Sequence, residues 1–323
     1  MSETPLLHVA GLTKSFALAG GRTLRAVDGV SFDLAAGETL ALVGESGSGK
    51  TTCARTIARL YRPDAGEIRF RGTDMASLPG HALRPLRRHM QMMFQDPFGS
   101  LNPRLTVGAS IAEPLVIHRW KDKTARAARV AELMGLVGLP AADAARYPHE
   151  FSGGQRQRIA IARMLALEPE LIVADEPLSA LDVSIQSQIL NLLQDLQARL
   201  GFASLFISHD LAVVDAIADR VAVMYLGRIV EIAPRERLFA APRHPYTQSL
   251  IDAVPQAGRG KRTPGQPKIA GDAPDAAAPP SGCAFHPRCP RAQARCRQET
   301  PQLTGGNGHL FACHYPLGEG ETP

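Results

Sequence analysis

The feature that most constrains the fold is a glycine-rich turn at residues 44–51, placed between a predicted strand and a predicted helix. The apolar run Thr39–Val43 is typical of a short buried strand, and a helical pattern begins at about Lys50. The turn fits the pattern G-x-x-x-x-G-K-T, whose glycines let backbone N–H groups turn inward around phosphate oxygens. The start of the helix adds its partial positive charge. The sequence therefore predicts a P-loop, which binds the phosphates of a nucleotide.

The P-loop also predicts which side chains bind nucleotide and metal. Lys50 is expected to reach the β- and γ-phosphates of ATP, and Thr51 to hold Mg²⁺. The nucleotide-binding residues predicted in the loop and the first turn of the helix are Gly44, Glu45, Ser46, Gly47, Ser48, Gly49, Lys50, Thr51 and Thr52.

Two acidic residues follow a second apolar run. Leu171–Ala174 predicts a buried strand that ends in Asp175 and Glu176, and Ser204–Ile207 predicts a further strand. Short continuous apolar runs of this kind suit a parallel sheet covered on both faces. Asp175 is placed to hold Mg²⁺, directly or through water. Glu176 is placed to polarise the attacking water as a general base.

Composition divides the chain into three parts. Residues 1–254 are predicted to form one α/β unit, in which about Arg104 to Ala166 is helical in pattern. From Pro255 to Pro280, six prolines and four glycines occur in 26 residues, which is typical of a linker. We therefore expect a domain at 1–254, a linker at 255–282 and a small C-terminal appendage at 283–323.

The distribution of charge argues against a nucleic-acid partner. The net charge is +5, and residues 256–300 hold eight Lys or Arg against three Asp or Glu, which is 8 − 3 = +5. This basic segment is either a solvated tail or one that contacts anionic lipid or the rest of a complex. The sequence has neither the roughly 18 consecutive apolar residues of a membrane helix nor a secretion signal at its N-terminus, so we expect a cytosolic protein.

Five further features give the sequence its resemblance to a known family. They are Gln95 in the run MFQDP, the tetrapeptide Ser152-Gly153-Gly154-Gln155, the pair Ser179 and Asp182 in the run SALD, His209 in the run SHD, and Phe16. Their order and spacing around the P-loop are similar to those of the ABC transporter ATPases. The resemblance covers about residues 6–250.

The resemblance implies a fold and a role for each of these residues. It implies a P-loop NTPase with a RecA-like core, an antiparallel β subdomain and a helical subdomain at about residues 96–165. Gln95 would sense Mg²⁺ and the γ-phosphate and join Thr51 and Asp175 as a metal ligand. His209 would act as the switch histidine, and Phe16 would stack on adenine. Together with Glu176 and Lys50, Gln95 and His209 form the implied catalytic set.

The signature tetrapeptide implies a second ATPase domain. Ser152, Gly153, Gly154 and Gln155 open a helix and so form another anion site of exposed N–H groups. In the family this site closes on the ATP bound to a partner subunit, with the D-loop residues Ser179 and Asp182 beside it. A head-to-tail pair of ATPase domains with ATP between them is therefore expected.

Three further stretches resemble one branch of the family. Phe94–Val107, Ala174–Leu193 and Arg243–Pro255 are similar to the ATPase subunits of dipeptide, oligopeptide and nickel importers. That branch implies two membrane permease subunits, a second and different ATPase subunit, an extracytoplasmic substrate-binding protein, and a peripheral position on the cytoplasmic face of the membrane. Peptides are the favoured cargo. A soluble ABC protein acting on ribosomes or DNA, or an exporter ATPase, is the alternative.

Four of the five cysteines lie in the last 41 residues: Cys283, Cys289, Cys296 and Cys313. In a cytosolic protein such crowding suggests metal rather than disulfides. Four thiolates suit either tetrahedral zinc or an iron–sulfur cluster. The resemblance to the importer branch implies a 4Fe–4S cluster, with zinc and unliganded thiols as the alternatives. The fifth, Cys53, is expected to be a small buried side chain.

Overall fold

The structure, a computed structural model, describes residues 4–95, 99, 101–179, 181–254 and 274–318. It consists of two compact units. The helical unit comprises Met1–Leu6, Leu34–Glu38 and Ser77–Ile207. The P-loop unit comprises Leu7–Asp33, Thr39–Ala76 and Ser208–Pro323.

The P-loop unit contains an antiparallel sheet of strand order β2-β1-β4-β5. Its strands are β1 (Leu7–Ala17), β2 (Thr23–Leu34), β4 (Ala65–Phe70) and β5 (Thr73–Asp74). Leu7 lies opposite Phe70 and Val9 opposite Ile68 in the β1–β4 register, and all four side chains are buried. Buried and exposed residues alternate along the end of β2, as expected for a sheet with one covered face. The predicted antiparallel β subdomain is confirmed.

The same unit contains the strand that leads into the P-loop. This strand, β3 (Thr39–Val43), pairs in parallel with β9 (Arg220–Tyr225), with Val43 opposite Val223. Further strands follow in the order β9-β10-β12-β11, where β10 is Arg228–Pro234, β11 is Thr304–Gly306 and β12 is His309–Phe311. The helices of this unit are α1 (Lys50–Ile57), α7 (Leu211–Ile217), α8 (Arg235–Ala240), α9 (Pro245–Asp252) and α10 (Ala294–Gln298).

Among its described residues, the helical unit combines three parallel strands with five α-helices. The strands are β6 (Met90–Met93), β7 (Leu171–Asp175) and β8 (Ala203–Ser208), in the order β6-β7-β8. The helices are α2 (Arg84–Arg87), α3 (Val107–Ile117), α4 (Lys123–Leu136), α5 (Gly153–Leu165) and α6 (Val183–Leu200). Thr106 and Asp122 begin α3 and α4 as N-caps, since their side chains accept hydrogen bonds from Ala109 and Ala125. Every residue of β7 and β8 is buried, as the continuous apolar runs predicted.

The C-terminal segment belongs to the P-loop unit. Phe285 is 1% exposed, and its ring centroid lies 5.4 Å from that of Tyr225 and 5.3 Å from that of Tyr246. Strand β12 also extends the sheet by pairing with β10. The burial of an aromatic anchor explains why a segment without a core of its own can order on the domain. Most of the predicted linker, residues 255–273, lies outside the described residues.

Within the described ranges, the structure contains no helix that is both long enough and apolar enough to cross a bilayer.

Replacing Phe285 with Ala is expected to lower the free energy of unfolding by about 3 kcal/mol, because it removes a buried ring and leaves a cavity. The measurement is urea unfolding of the full chain. Leu60, which is 48% exposed, supplies the control. Leu60→Ala is expected to change the free energy by less than about 0.5 kcal/mol. Equal effects of the two substitutions would contradict the packing role of Phe285.

Candidate functional site

The P-loop has a backbone shape that only glycine permits at two positions. Gly44 has φ +151° and Gly49, which begins α1, has φ +104°. A Cβ atom on Gly44 would lie 2.2 Å from the carbonyl oxygen of Met224. One on Gly49 would lie 2.0 Å from that of Ala26. Both distances are far below van der Waals contact, so the close approach of the loop to β2 and β9 requires glycine.

Lys50 is buried inside the loop. Its side chain lies among loop atoms, with Nζ donating to the carbonyl oxygens of Gly44 at 2.7 Å and Glu45 at 2.9 Å. The residue is only 4% exposed. A cation so placed, beside a helix N-terminus, suits the binding of phosphate oxygens.

The remaining predicted loop residues occupy the positions that the motif implies. Ser46 and Gly47 are exposed at the tip of the loop, whereas Ser48 is buried and its carbonyl oxygen accepts from Gly227 N–H at 2.9 Å. Thr51 and Thr52 lie, half-buried, in the first turn of α1.

Glu45 is held by residues that the sequence did not single out. Its carboxylate accepts two hydrogen bonds from the guanidinium of Arg288, at 2.7 and 2.9 Å. Its backbone N–H donates to the hydroxyl oxygen of Tyr246 at 2.9 Å. Glu45 and Arg288 are 243 positions apart, and no local pattern links them.

Phe16 lies near the end of β1, half-buried beside other side chains. Its ring packs edge-on against Tyr61, with a centroid distance of 5.5 Å. The ammonium of Lys14 lies 5.5 Å from its centroid. The ring keeps an accessible part, which stacking on a base would need.

In the helical unit the structure brings Gln95 and Glu176 together. The Nε2 atom of Gln95 donates to a carboxylate oxygen of Glu176 at 3.4 Å. Asp175, the last residue of β7, is 1% exposed. Glu176 adopts φ +49°, a left-handed conformation that is uncommon outside glycine, and its N–H donates to Ile207 at 3.1 Å. The hydrogen bond to Ile207, in the neighbouring strand β8, holds this backbone conformation directly after β7.

The signature tetrapeptide begins α5 with a reciprocal capping box. The hydroxyl oxygen of Ser152 accepts from Gln155 N–H at 3.3 Å, and the side-chain oxygen of Gln155 accepts from Ser152 N–H at 3.0 Å. Ser152 is exposed, while Gly153 and Gly154 are half-buried. A Cβ on Gly154 would lie 2.9 Å from Ile185 of α6, so close packing of the two helices favours glycine there.

A buried glutamine links the signature helix to the acidic pair, and sequence reasoning missed it. Gln157 is fully buried and donates to the carbonyl oxygen of Pro177 at 2.6 Å. The D-loop begins beyond this contact, where the Ser179 hydroxyl donates to the carbonyl oxygen of Glu176 at 3.0 Å. Asp182 is exposed at the N-cap of α6, and residue 180 lies outside the described residues. Glutamine five residues after the signature serine carries no motif by itself.

The predicted site residues divide between the two units. The P-loop, Phe16 and His209 belong to the P-loop unit, and His209 is exposed immediately after β8. The residues of the helical unit are Gln95, Ser152, Gly153, Gly154, Gln155, Asp175, Glu176, Ser179 and Asp182.

All four C-terminal cysteines line one small cavity as free thiols, together with His286 and His314. Burial raises the pKa of Cys283 and Cys289, and it raises that of Cys313 to about 12. Within the described part of the chain, no three His, Cys, Asp or Glu side chains are placed closely enough to hold a single metal ion. The donor types fit a metal group, but their placement does not fit one ion such as zinc.

Comparisons with known proteins agree with this geometry. The family model described as "ABC transporter" matches residues 27–179, and that of the "Oligopeptide/dipeptide transporter, C-terminal region" matches residues 230–296. A Brucella ovis protein named as a peptide import ATP-binding protein is 54% identical over 97% of this chain and 98% of its own length. The oligopeptide transport ATP-binding protein AppF of Bacillus subtilis is 48% identical, and the match covers 97% of this chain and 98% of AppF.

A solved structure gives the same result for the fold. The dimeric, post-hydrolysis ATP-binding cassette MJ0796, bound to ADP and Pi, has a TM-score of 0.64 to this chain. It is 29% identical, and the match covers 71% of this chain and 98% of that one.

Stability is expected to depend on pH through His244, the residue that begins the helix carrying Tyr246. Its Nδ1 accepts from the Tyr246 N–H at 3.1 Å, and burial lowers its pKa from 6.5 to about 4. Below pH 6.5 the unfolded chain therefore binds a proton that the folded chain does not. Acidification from pH 6.5 to 4 is expected to remove up to about 3 kcal/mol of stability.

His244→Asn tests this expectation, because asparagine keeps an acceptor for the cap but does not titrate. The free energies of unfolding of the two proteins are compared at pH 7.5, 6, 5 and 4.5. The difference between them is expected to change by more than 1 kcal/mol, at about 1.4 kcal/mol per pH unit below 6.5. A constant difference across the series would contradict the buried neutral state of His244.

Proposed function

This chain belongs to the ABC transporter family and hydrolyses ATP, and from that premise we propose that it energises the import of di- or oligopeptides across a membrane. The observation that carries the proposal is the similarity of almost the whole chain, C-terminal region included, to ATP-binding proteins named for peptide import. An exporter ATPase would share the P-loop and signature but has no reason to share the C-terminal region.

In this proposal the P-loop unit binds the triphosphate. The loop amides and the Lys50 ammonium contact the phosphate oxygens. Thr51 and Thr52, the next two residues in the first turn of α1, also bind the nucleotide. Phe16 stacks on the adenine. The buried, loop-held position of Lys50 supports this role, because little further ordering of the side chain is needed when phosphate binds.

A second set of predicted residues serves metal binding and hydrolysis. Asp175, Thr51 and Gln95 are the side chains that would hold Mg²⁺. Glu176 accepts a proton from the attacking water as the water oxygen bonds to the γ-phosphorus. The bond between that phosphorus and the β–γ bridging oxygen breaks, so that the leaving group is ADP and the product is inorganic phosphate. The contact between Gln95 and Glu176 supports a shared place at the γ-phosphate. His209 responds to the γ-phosphate as the switch histidine.

The signature helix acts on a second ATPase subunit. Ser152, Gly153 and Gly154 present N–H groups at the start of α5, and Gln155 holds that start in shape. They close on ATP bound to a partner, with Ser179 and Asp182 at the same contact. The partner is a different, homologous chain.

The remaining assembly consists of two permease subunits and an extracytoplasmic substrate-binding protein. This chain then lies peripherally on the cytoplasmic face of the membrane. ATP-driven closure of the ATPase pair is transmitted to the permease as a switch between inward and outward states.

The C-terminal thiols are proposed to hold a 4Fe–4S cluster. A cluster binds each thiolate at a different iron, so the four sulfurs need not converge on one point as they must around zinc. Four thiols around one cavity support this assignment. The cluster supplies cross-linking of the segment rather than chemistry at the ATP site.

Glu176→Gln is expected to keep ATP binding but lower the hydrolysis rate by about 100-fold or more, because the general base is lost. Phosphate release and ATP binding are measured on the same preparations. Lys50→Ala is expected to lose binding instead. Glu132→Gln, at an exposed position of the helical unit, is the matched control. Hydrolysis by Glu176→Gln near the wild-type rate would remove Glu176 from the mechanism.

Anaerobically purified protein is expected to be brown and to contain iron and acid-labile sulfide in equal amounts. Cys296→Ser is expected to lose both, whereas Cys53→Ser, the control at a buried position in α1, keeps them. A colourless, iron-free protein would contradict the cluster, and zinc in its place would support the alternative.

A further inference from the structure

A partly buried ion pair joins the C-terminal segment to the P-loop. The two terminal guanidinium nitrogens of Arg288, Nη1 and Nη2, donate to the carboxylate of Glu45, in the parallel two-bond geometry that is strongest for this pair. The Arg288 side chain is 7% exposed and that of Glu45 is 28% exposed. The pair lies within the P-loop unit.

Two tyrosines complete the contact. The Tyr225 hydroxyl lies 3.4 Å from Nη1 of Arg288, and the Tyr246 hydroxyl accepts from the Glu45 N–H. The two rings pack against each other at 4.7 Å. The side chain and the main chain of Glu45 are therefore both fixed by residues beyond position 224. The hydrogen bond to Glu45 also holds the pKa of Arg288 above its usual range.

The charge of Glu45 affects nucleotide binding because the residue lies in the phosphate-binding loop. It is the second residue of the loop, directly after Gly44, and its carbonyl oxygen contacts Lys50. A carboxylate at this place repels a triphosphate, and the repulsion is strong where water is partly excluded. The guanidinium cancels that charge. The guanidinium is buried, whereas the Glu45 carboxylate is partly exposed, so a Glu45 charge left uncompensated is open to screening by salt.

We propose that Arg288 is a positioning residue for ATP binding, which neutralises Glu45 and fixes the start of the P-loop from the C-terminal segment. Arg288 ends a short 3₁₀ helix, His286–Arg288, between Phe285 and Cys289. The packing of the cysteine-bearing segment therefore sets the affinity of the phosphate loop. The proposal rests on the ATP-binding role of the P-loop described above.

The test measures the binding of Mg²⁺ and a fluorescent ATP analogue, N-methylanthraniloyl-ATP, to the full chain, together with KM and kcat for ATP. Arg288→Ala is expected to raise Kd and KM by about tenfold, because a nearby carboxylate becomes uncompensated. The value of kcat is expected to change less than KM, since the lost interaction is made equally in the ground state and the transition state.

The decisive comparison is rescue by a second substitution. In Arg288→Ala/Glu45→Gln the repelling charge is gone, so Kd is expected to return most of the way towards that of the wild type. Raising the salt concentration is expected to shrink the Arg288→Ala defect as well. If Arg288 only anchored the C-terminal segment, neither the Glu45→Gln substitution nor added salt would reduce the loss of affinity. Absence of both rescue and salt dependence would overturn the electrostatic role.

Two controls separate the causes of failure. Arg295→Ala removes an exposed arginine of the same segment, paired with Glu299, and is expected to leave Kd unchanged. Lys50→Ala tests the proposed function itself. If Lys50→Ala loses binding and Arg288→Ala does not, only the role of Arg288 is wrong. If Lys50→Ala binds like the wild type, the ATP-binding role of the loop is wrong.

A conservative variant covers the case in which Arg288→Ala does not fold, as judged by circular dichroism. Arg288→Lys keeps the charge but not the two-bond geometry. Its Kd is expected to lie between the wild type and a tenfold loss, with the same sensitivity to Glu45→Gln. A Kd equal to that of the wild type together with no effect of Glu45→Gln would overturn the proposal.

Discussion

The structure depends first on the close approach of the main chain at two glycines of the P-loop. At Gly44 and Gly49 the space that a Cβ would fill is taken by carbonyl oxygens of Met224 and Ala26. This approach fixes the loop against β9 and β2, and it places the N-terminus of α1 and the Lys50 ammonium at one point. Phosphate binding needs both the helix N-terminus and the ammonium, because amide dipoles and a cation must converge on the same phosphate oxygens.

The C-terminal segment also contributes to the structure of the P-loop. Phe285 packs against both Tyr225 and Tyr246 in the core, and three residues later Arg288 contacts the carboxylate of Glu45. Cys289 directly follows the short helix that ends at Arg288, and Cys283 lies three residues before it. The cysteine-bearing segment is therefore connected to the phosphate-binding loop through the contacts of Phe285 and Arg288.

The main motifs of the site could be predicted from the sequence because each of them is formed by residues that are close together in the chain. The P-loop, the strand before Asp175 and the signature box are each encoded within about ten consecutive residues, where periodicity and spacing carry the signal. Contacts between distant positions carry no such signal. Arg288 with Glu45, and Gln157 with Pro177, are decided by tertiary packing. The cysteine spacing predicted a metal group, but it could not predict that Phe285 would bury the segment in the core.

The claim that the ATPase drives a membrane importer is tested most directly by purifying the tagged chain in mild detergent and identifying what accompanies it. We expect two polytopic membrane proteins and a second, different ATPase subunit in stoichiometric amounts, all of which also accompany the Glu176→Gln variant in the presence of ATP. Recovery of ribosomal or DNA-bound complexes instead, with no membrane protein, would contradict the transport function and leave the ATPase standing.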